Sequence, residues 1–119
     1  YNYYMITLDD IDKPLVLLYG DIGYGKTTFI RNLIGDVVTS PTFNKIQEYN
    51  IIYNNKKYNI AHIDLYMNTI DEDMIIYYIN NFDLIFIEWA NLLSDQFKKT
   101  INNISTKITF NKNHQFYIH

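Results

Sequence analysis

Apolar residues along the chain follow two different periods, and the change between them marks the predicted elements. Residues 13–20, "KPLVLLYG", hold a short apolar run between a proline and a glycine, which is typical of a buried strand. In residues 26–34 the apolar side chains recur at helical spacing: Phe29, Ile30, Leu33 and Ile34. Gly35 follows where a helix cap would lie. The pattern predicts a strand, a glycine-rich turn and a helix, in that order.

The rest of the pattern mixes strands with helices. Residues 43–53 and 56–66 read as strands, and the "NN" pair between them favours a hairpin turn. Residues 70–80 have an acidic first turn and closely spaced apolar residues, which predicts a short buried helix. Three further elements are predicted: a buried strand at 83–89, a helix at 93–104 and a closing hairpin from 106–110 and 115–119.

Together these elements predict an α/β sandwich whose central sheet is mixed and flanked by helices, because hairpin and crossover connections both occur. The chain has 119 residues, 48% of them hydrophobic, which predicts a single domain over residues 1–119. No apolar run is long enough to span a bilayer, so we expect a soluble, cytoplasmic protein without a membrane partner.

The composition also narrows the chemistry. The chain has no cysteine, which excludes a disulfide scaffold, thiolate catalysis and Cys-ligated zinc. Its formal charge is −3. Proteins that bind nucleic acid unaided normally carry a basic face, so this charge disfavours unaided nucleic-acid binding. Arginine occurs once, as Arg31.

The turn between the first strand and helix, "GDIGYGKT" at residues 20–27, satisfies the Walker A pattern G-x-x-x-x-G-K-[ST] in its expected context. Glycines let the loop curl so that backbone N–H groups converge on phosphate oxygens, and the helix dipole adds positive charge. In such a loop Lys26 reaches the β- and γ-phosphates, the Thr27 hydroxyl ligates Mg²⁺, and Thr28 is placed to contact the α-phosphate. The alternative is a chance glycine-rich turn.

Two carboxylates are candidates for the acid that holds the metal. Asp64 follows "NIAHI" and Glu88 follows "DLIFI", so in both cases an apolar strand delivers an acid to its C-terminal end, where α/β sheets place ligands. The alternatives are a strand-terminating cap for Asp64 and a surface charge for Glu88. The residues alone do not choose between the two as the direct ligand.

Thr42 is a further candidate. It lies in the polar turn "TSPTF", residues 39–43, where Pro41 fixes the backbone. A loop threonine between the two nucleotide motifs can sense the γ-phosphate through the metal, and an ordinary turn is an equally good interpretation.

Several separated stretches closely resemble one family, the bacterial TsaE (YjeE) family of small P-loop ATPases. These are "LYGDIGYGKTTF", "SPTF" followed by "EY", "HIDLY" and "IEW", in the family's order and spacing, and the resemblance covers roughly residues 17–89. The resemblance implies a P-loop NTPase-like fold. It also implies an ATPase that acts with the TsaB and TsaD proteins in the N6-threonylcarbamoyladenosine (t6A) modification of adenosine 37 of tRNA, touching tRNA only indirectly.

The resemblance also assigns roles to residues. It implies ATP contacts from six residues of the loop and helix: Gly23, Tyr24, Gly25, Lys26, Thr27 and Thr28. Magnesium would be held by Thr27 and Glu88, with Asp64 ordering water or metal and Thr42 in a switch-like loop.

Two features depart from the family. Met67 replaces its usual arginine, and "DDID" at residues 9–12 stands where the family has a helix that bears on nucleotide-base contacts.

Two other functions are compatible with the same loop. A small-molecule kinase would use the same loop, but such enzymes clamp phosphates with several arginines, and this chain has one. A nucleotide-dependent switch with incidental hydrolysis fits the same motifs, and differs from the ATPase in whether partners stimulate turnover. A lone tryptophan beside a strand and a lone histidine are more often structural than functional, and we interpret Trp89 and His62 in that way.

Overall fold

The computed structural model describes residues 6–21, 23–35, 46–66 and 70–119. Within these ranges the strands are β1 (Leu15–Tyr19), β2 (Ile46–Tyr53), β3 (Lys56–Asp64), β4 (Leu84–Glu88), β5 (Ser105–Phe110) and β6 (Phe116–Ile118). The α-helices are α1 (Lys26–Ile34), α2 (Glu72–Asn81) and α3 (Asp95–Ile101).

The six strands form one mixed sheet in the order β2-β3-β4-β1-β5-β6. β3, β4, β1 and β5 run parallel to one another, and the edge strands β2 and β6 pair antiparallel with β3 and β5. This confirms the predicted α/β fold with a mixed central sheet. In the register of β3 and β4, Asp64 is the direct neighbour of Glu88.

Helices pack on both faces of the sheet, and this explains why the apolar runs of β1 and β4 are not interrupted by polar residues. Val16 and Leu18 of β1 belong to a core that includes residues of α1, whereas Leu15 and Leu17 belong to a second core with residues of α2 and α3. Successive side chains of a strand point to opposite faces, so a strand covered on both sides carries no polar alternation.

Local sequence signals set several element ends. Gly35 ends α1 with φ +117°, and its N–H donates to the Arg31 carbonyl. Asn54 and Asn55 both adopt positive φ, 50° and 64°, in the two-residue turn of the β2–β3 hairpin. Such φ values define the turn that joins two right-twisted strands, and asparagine tolerates them well.

The helix predicted at residues 70–80 is present, but it is not buried all round. Ile75 and Tyr78 are buried, whereas Met74, Ile76 and Tyr77 are 50%, 43% and 55% exposed. α2 covers one face of the sheet, and only the stripe that faces the sheet is shielded. The closely spaced apolar residues therefore overstated its burial.

A substitution at Phe29 tests the core beneath α1. Phe29 is fully buried, and its ring lies edge-on to Phe110 and Phe116 at centroid distances of 5.5 and 5.0 Å. We expect Phe29→Ala to lower the free energy of unfolding by about 3–5 kcal/mol in urea titrations. Ile52→Ala, at an edge position that is 71% exposed, should change it by less than about 0.5 kcal/mol. Similar losses at both positions would contradict the assigned core.

Candidate nucleotide site

The glycine-rich loop lies between the C-terminal end of β1 and the start of α1. Gly25, with φ +98°, precedes the helix, and the first intrahelical hydrogen bond runs from Phe29 N to Gly25 O at 2.9 Å. The N–H groups of the first three helical residues therefore have no acceptor within the helix. Such a helix start attracts anions through its N–H groups and its dipole.

Gly20, the first glycine of the Walker A pattern, has a packing role and not the phosphate-binding role that the motif suggests. A Cβ added there would lie 3.1 Å from the carbonyl oxygen of Phe110, so this glycine lets the loop approach β5 closely. Tyr24, expected at the nucleotide, is half-buried and packs against the core beneath α1. Its contact with a nucleotide stays a prediction.

Lys26 is almost completely buried at the first position of α1. Its Nζ donates to the Gly20 carbonyl oxygen and lies 4.3 Å from the centroid of the Trp89 ring. Burial lowers the pKa of Lys26, and the charges of Glu88, Asp64 and Asp21 oppose that effect. Burial therefore disfavours the charged form of Lys26, and its acidic neighbours favour it.

Glu88 ends β4 and is also buried, at 4% exposure. Its Oε2 accepts a hydrogen bond from the Thr27 hydroxyl at 3.5 Å and contacts His62 Nε2. The structure thus joins the Walker A threonine to one of the two candidate acids. The alternative interpretation of Glu88 as a surface charge is wrong.

Asp64 lies beside Glu88 at the end of β3, and its Oδ1 accepts a 2.8 Å hydrogen bond from Tyr66 N. Burial raises the pKa of Asp64, with the backbone N–H of Tyr66 acting in the opposite direction. Through this hydrogen bond Asp64 partly acts as a cap at the end of β3, which was the alternative interpretation of this residue. Its side chain nonetheless lines the same cleft as Glu88.

One cleft of about 360 Å³ brings these residues together. Of the residues expected in the site, it is lined by Gly23, Gly25, Lys26, Thr27, Thr28, Asp64 and Glu88. Thr42 and Met67 lie outside the described residues. Tyr66, Trp89 and His114 also line the cleft. Sequence reasoning missed Tyr66 and His114: Tyr66 closes the "DLY" stretch, whereas His114 comes from the β5–β6 turn and carries no local signal.

Trp89 is half-buried, and it both packs against the core and lines the cleft. It contacts the core beneath α2 and α3, and its ring stacks on Tyr66 with centroids 4.7 Å apart. Its backbone is left-handed, with φ 60° and ψ 40°. That conformation is strained for a bulky residue, and such strain is concentrated at functional sites.

The chemistry of the cleft fits a magnesium–phosphate ligand. No group of three or more histidine, aspartate, glutamate or cysteine side chains among the described residues could hold a metal alone. Thr27, Asp64 and Glu88 supply oxygen atoms, and Mg²⁺ is usually held by one or two carboxylates together with phosphates and water. The helix start and Lys26 supply the N–H groups and the amine that phosphates would need.

The fold and this loop define the class: the chain is an α/β protein of the P-loop NTPase type. The family model described as "Threonylcarbamoyl adenosine biosynthesis protein TsaE" matches residues 5–116, and the chain belongs to the TsaE family. This confirms the resemblance seen in the motifs.

Relatives named "tRNA threonylcarbamoyladenosine biosynthesis protein TsaE" agree with this assignment. The chain is 34% identical to the one from Rickettsia prowazekii, over 90% of this chain and 79% of the relative. It is 35% identical to that from Rickettsia typhi, over 83% of this chain and 74% of the relative. It is also 35% identical to that from Haemophilus influenzae, over 64% of this chain and 51% of the relative.

No helix in the described segments is long and apolar enough to cross a membrane.

The raised pKa of Asp64 predicts a pH-dependent effect of Asp64→Asn. Burial makes the ionised carboxylate less favourable in the folded chain than in the unfolded chain, so it costs stability above the raised pKa. That cost shrinks as the pH falls through the raised pKa, and it is gone below ~4, where Asp64 becomes protonated in the unfolded chain as well. We expect Asp64→Asn, which keeps an acceptor for Tyr66 N, to be more stable than the wild type at neutral pH, with the difference shrinking toward acid.

Urea unfolding of both proteins across this pH range measures the difference. An Asp64→Asn protein that is less stable than the wild type at neutral pH would contradict the assigned cost of burial.

Proposed function

We propose that the chain binds ATP with Mg²⁺ in this cleft and hydrolyses it as an accessory ATPase of the tRNA t6A modification machinery, acting with the TsaB and TsaD proteins. The observation that carries the proposal is the contact between Thr27 Oγ1 and Glu88 Oε2, 3.5 Å apart, at the start of α1. That contact joins the phosphate-binding loop to a strand-end acid, the pair of features that distinguishes an NTPase from a simple anion site.

Each residue has a distinct task in the proposal. The backbone N–H groups at the start of α1 and the Lys26 ammonium bind the phosphates, and Thr28 contacts the α-phosphate. Thr27 and Glu88 hold the metal, which when bound neutralises charge on the β- and γ-phosphate oxygens. Asp64, adjacent in the register, orients water for attack or supports the metal.

Lys26 is already close to its working position. Its Nζ bonds to a neutral carbonyl and lies over an aromatic ring, and phosphate oxygens are stronger acceptors than either because they carry charge. In this proposal, ligand binding exchanges the Gly20 carbonyl for phosphate oxygens. The carboxylates of Glu88, Asp64 and Asp21 oppose the lowering of the Lys26 pKa by burial.

The arginine content of the chain supports a contribution from partners to the site. Arg31, the only arginine in the sequence, lies in the last turn of α1 and is not among the residues that line the cleft. An arginine that reaches the transferred phosphate contributes ~10³–10⁵ in rate in related NTPases. We infer that the isolated chain hydrolyses ATP slowly and that a partner completes the site. In this assignment the chain supplies energy or resets the complex, while TsaD transfers the threonylcarbamoyl group.

The test is ATP turnover by the purified chain, alone and with TsaB and TsaD from the same organism. We expect the isolated chain to turn over ATP slowly and the partners to accelerate this turnover. An arginine inserted by a partner would accelerate it by ~10³–10⁵-fold. Lys26→Ala should abolish turnover in both settings while its thermal unfolding shows an intact fold. Lys99→Ala, which removes an exposed lysine on α3, should keep the turnover of the isolated chain.

Two results would contradict the proposal. Unchanged hydrolysis in folded Lys26→Ala would refute the role of the loop. ATP binding without stimulation by either partner would refute the assignment to the modification machinery and leave a nucleotide-dependent switch.

A further inference from the structure

His62 is a buried polar residue that the proposed chemistry does not use. It lies on β3, two residues before Asp64, and is 0% exposed. In the parallel register it is paired with Phe86, two residues before Glu88 on β4. Side chains two residues apart share a face of the sheet, so the imidazole and the Glu88 carboxylate are diagonal neighbours on one face.

The hydrogen bonding of His62 is one-sided. Its Nε2 contacts Glu88 Oε2, whereas Nδ1 has no hydrogen-bond partner among the described residues. A buried nitrogen without a partner costs free energy, so packing alone would favour an apolar side chain at this position. The contact with Glu88 is therefore the polar interaction that an imidazole supplies here.

The proton position follows from the same contact. A neutral imidazole has one N–H donor and one bare acceptor nitrogen. With the proton on Nε2 the ring donates to the carboxylate, and the unpartnered Nδ1 is the acceptor. We assign this tautomer from the hydrogen bonding.

The contact also fixes which Glu88 oxygen is engaged. Thr27 and His62 both meet Oε2, one from α1 and the other from β3. Neither contact uses Oε1, which keeps its acceptor capacity for a cation or its bound water. Two donors on one oxygen restrict the glutamate rotamer, as outer partners of metal ligands commonly do.

We propose that His62 is a positioning residue that holds the Glu88 carboxylate in the orientation needed for Mg²⁺ at the nucleotide. This inference rests on the proposed function, because it assigns His62 to the metal side of that site. His62 acts only through Glu88 and does not touch the phosphates.

The test compares two substitutions at His62 by calorimetric titration with a non-hydrolysable ATP analogue. Each protein is titrated once in the presence of Mg²⁺ and once in the presence of a chelator. His62→Leu has a similar volume and no donor, whereas the amide N–H₂ of His62→Gln can take the place of Nε2–H. We expect His62→Leu to lose about 10- to 100-fold of the Mg²⁺-dependent affinity, with the metal-free affinity unchanged. His62→Gln should recover most of the loss.

A double-mutant cycle with Glu88→Gln separates positioning from a structural effect. If His62 acts through Glu88, His62→Leu should cause little further loss of Mg²⁺ dependence in the Glu88→Gln background. Should His62→Leu fail to fold, nitrogen NMR of the wild-type imidazole is the second readout. The expected spectrum shows a proton on Nε2, and an Nε2 without a proton would overturn the proposal.

The remaining outcomes are distinct. A folded His62→Leu protein with wild-type Mg²⁺ dependence, or equal losses in the Leu and Gln variants, would overturn the positioning role alone. A wild-type chain that does not bind the analogue under either condition would overturn the proposed function, and the role of His62 with it.

Discussion

The buried carboxylate of Glu88 is the constraint on which the cleft depends. A charge with 4% exposure is unfavourable unless partners replace its lost water, and here they come from two other elements: the Thr27 hydroxyl on α1 and the His62 imidazole on β3. These groups meet because β3 and β1 are the two parallel neighbours of β4. The chain leaving β1 enters the loop and α1 on the face to which Glu88 points. The strand order of the sheet thus determines the geometry of the cleft.

Unfavourable features are concentrated at this cleft. Burial lowers the pKa of Lys26 and raises the pKa of Asp64, and Trp89 has a strained left-handed backbone. Core packing elsewhere offsets these costs, since both faces of the sheet are covered and many of the apolar residues of the central strands are fully buried. A chain selected for stability alone would not retain these unfavourable features together. Their concentration at the cleft therefore supports a functional role for it.

Much of this organisation was predictable because its signals are local. The strand–loop–helix order, the turn at Asn54 and Asn55, and the two acids at strand ends all follow from short patterns. Other features depend on register between distant segments, which the sequence does not encode locally. These include the contact of His62 with Glu88, the left-handed Trp89 and the approach of His114 from the β5–β6 turn. The roles of the site residues, of Thr42 above all, stay predictions.

The most direct test of the central claim is an experimental structure of the chain with Mg²⁺ and a non-hydrolysable ATP analogue. The account predicts the phosphates at the N-terminus of α1 with Lys26 on their oxygens, and the metal between Thr27 and Glu88. Such a structure would also decide between Glu88 and Asp64 as the direct ligand. A nucleotide bound outside this cleft, or a metal that contacts neither Thr27 nor Glu88, would contradict the account.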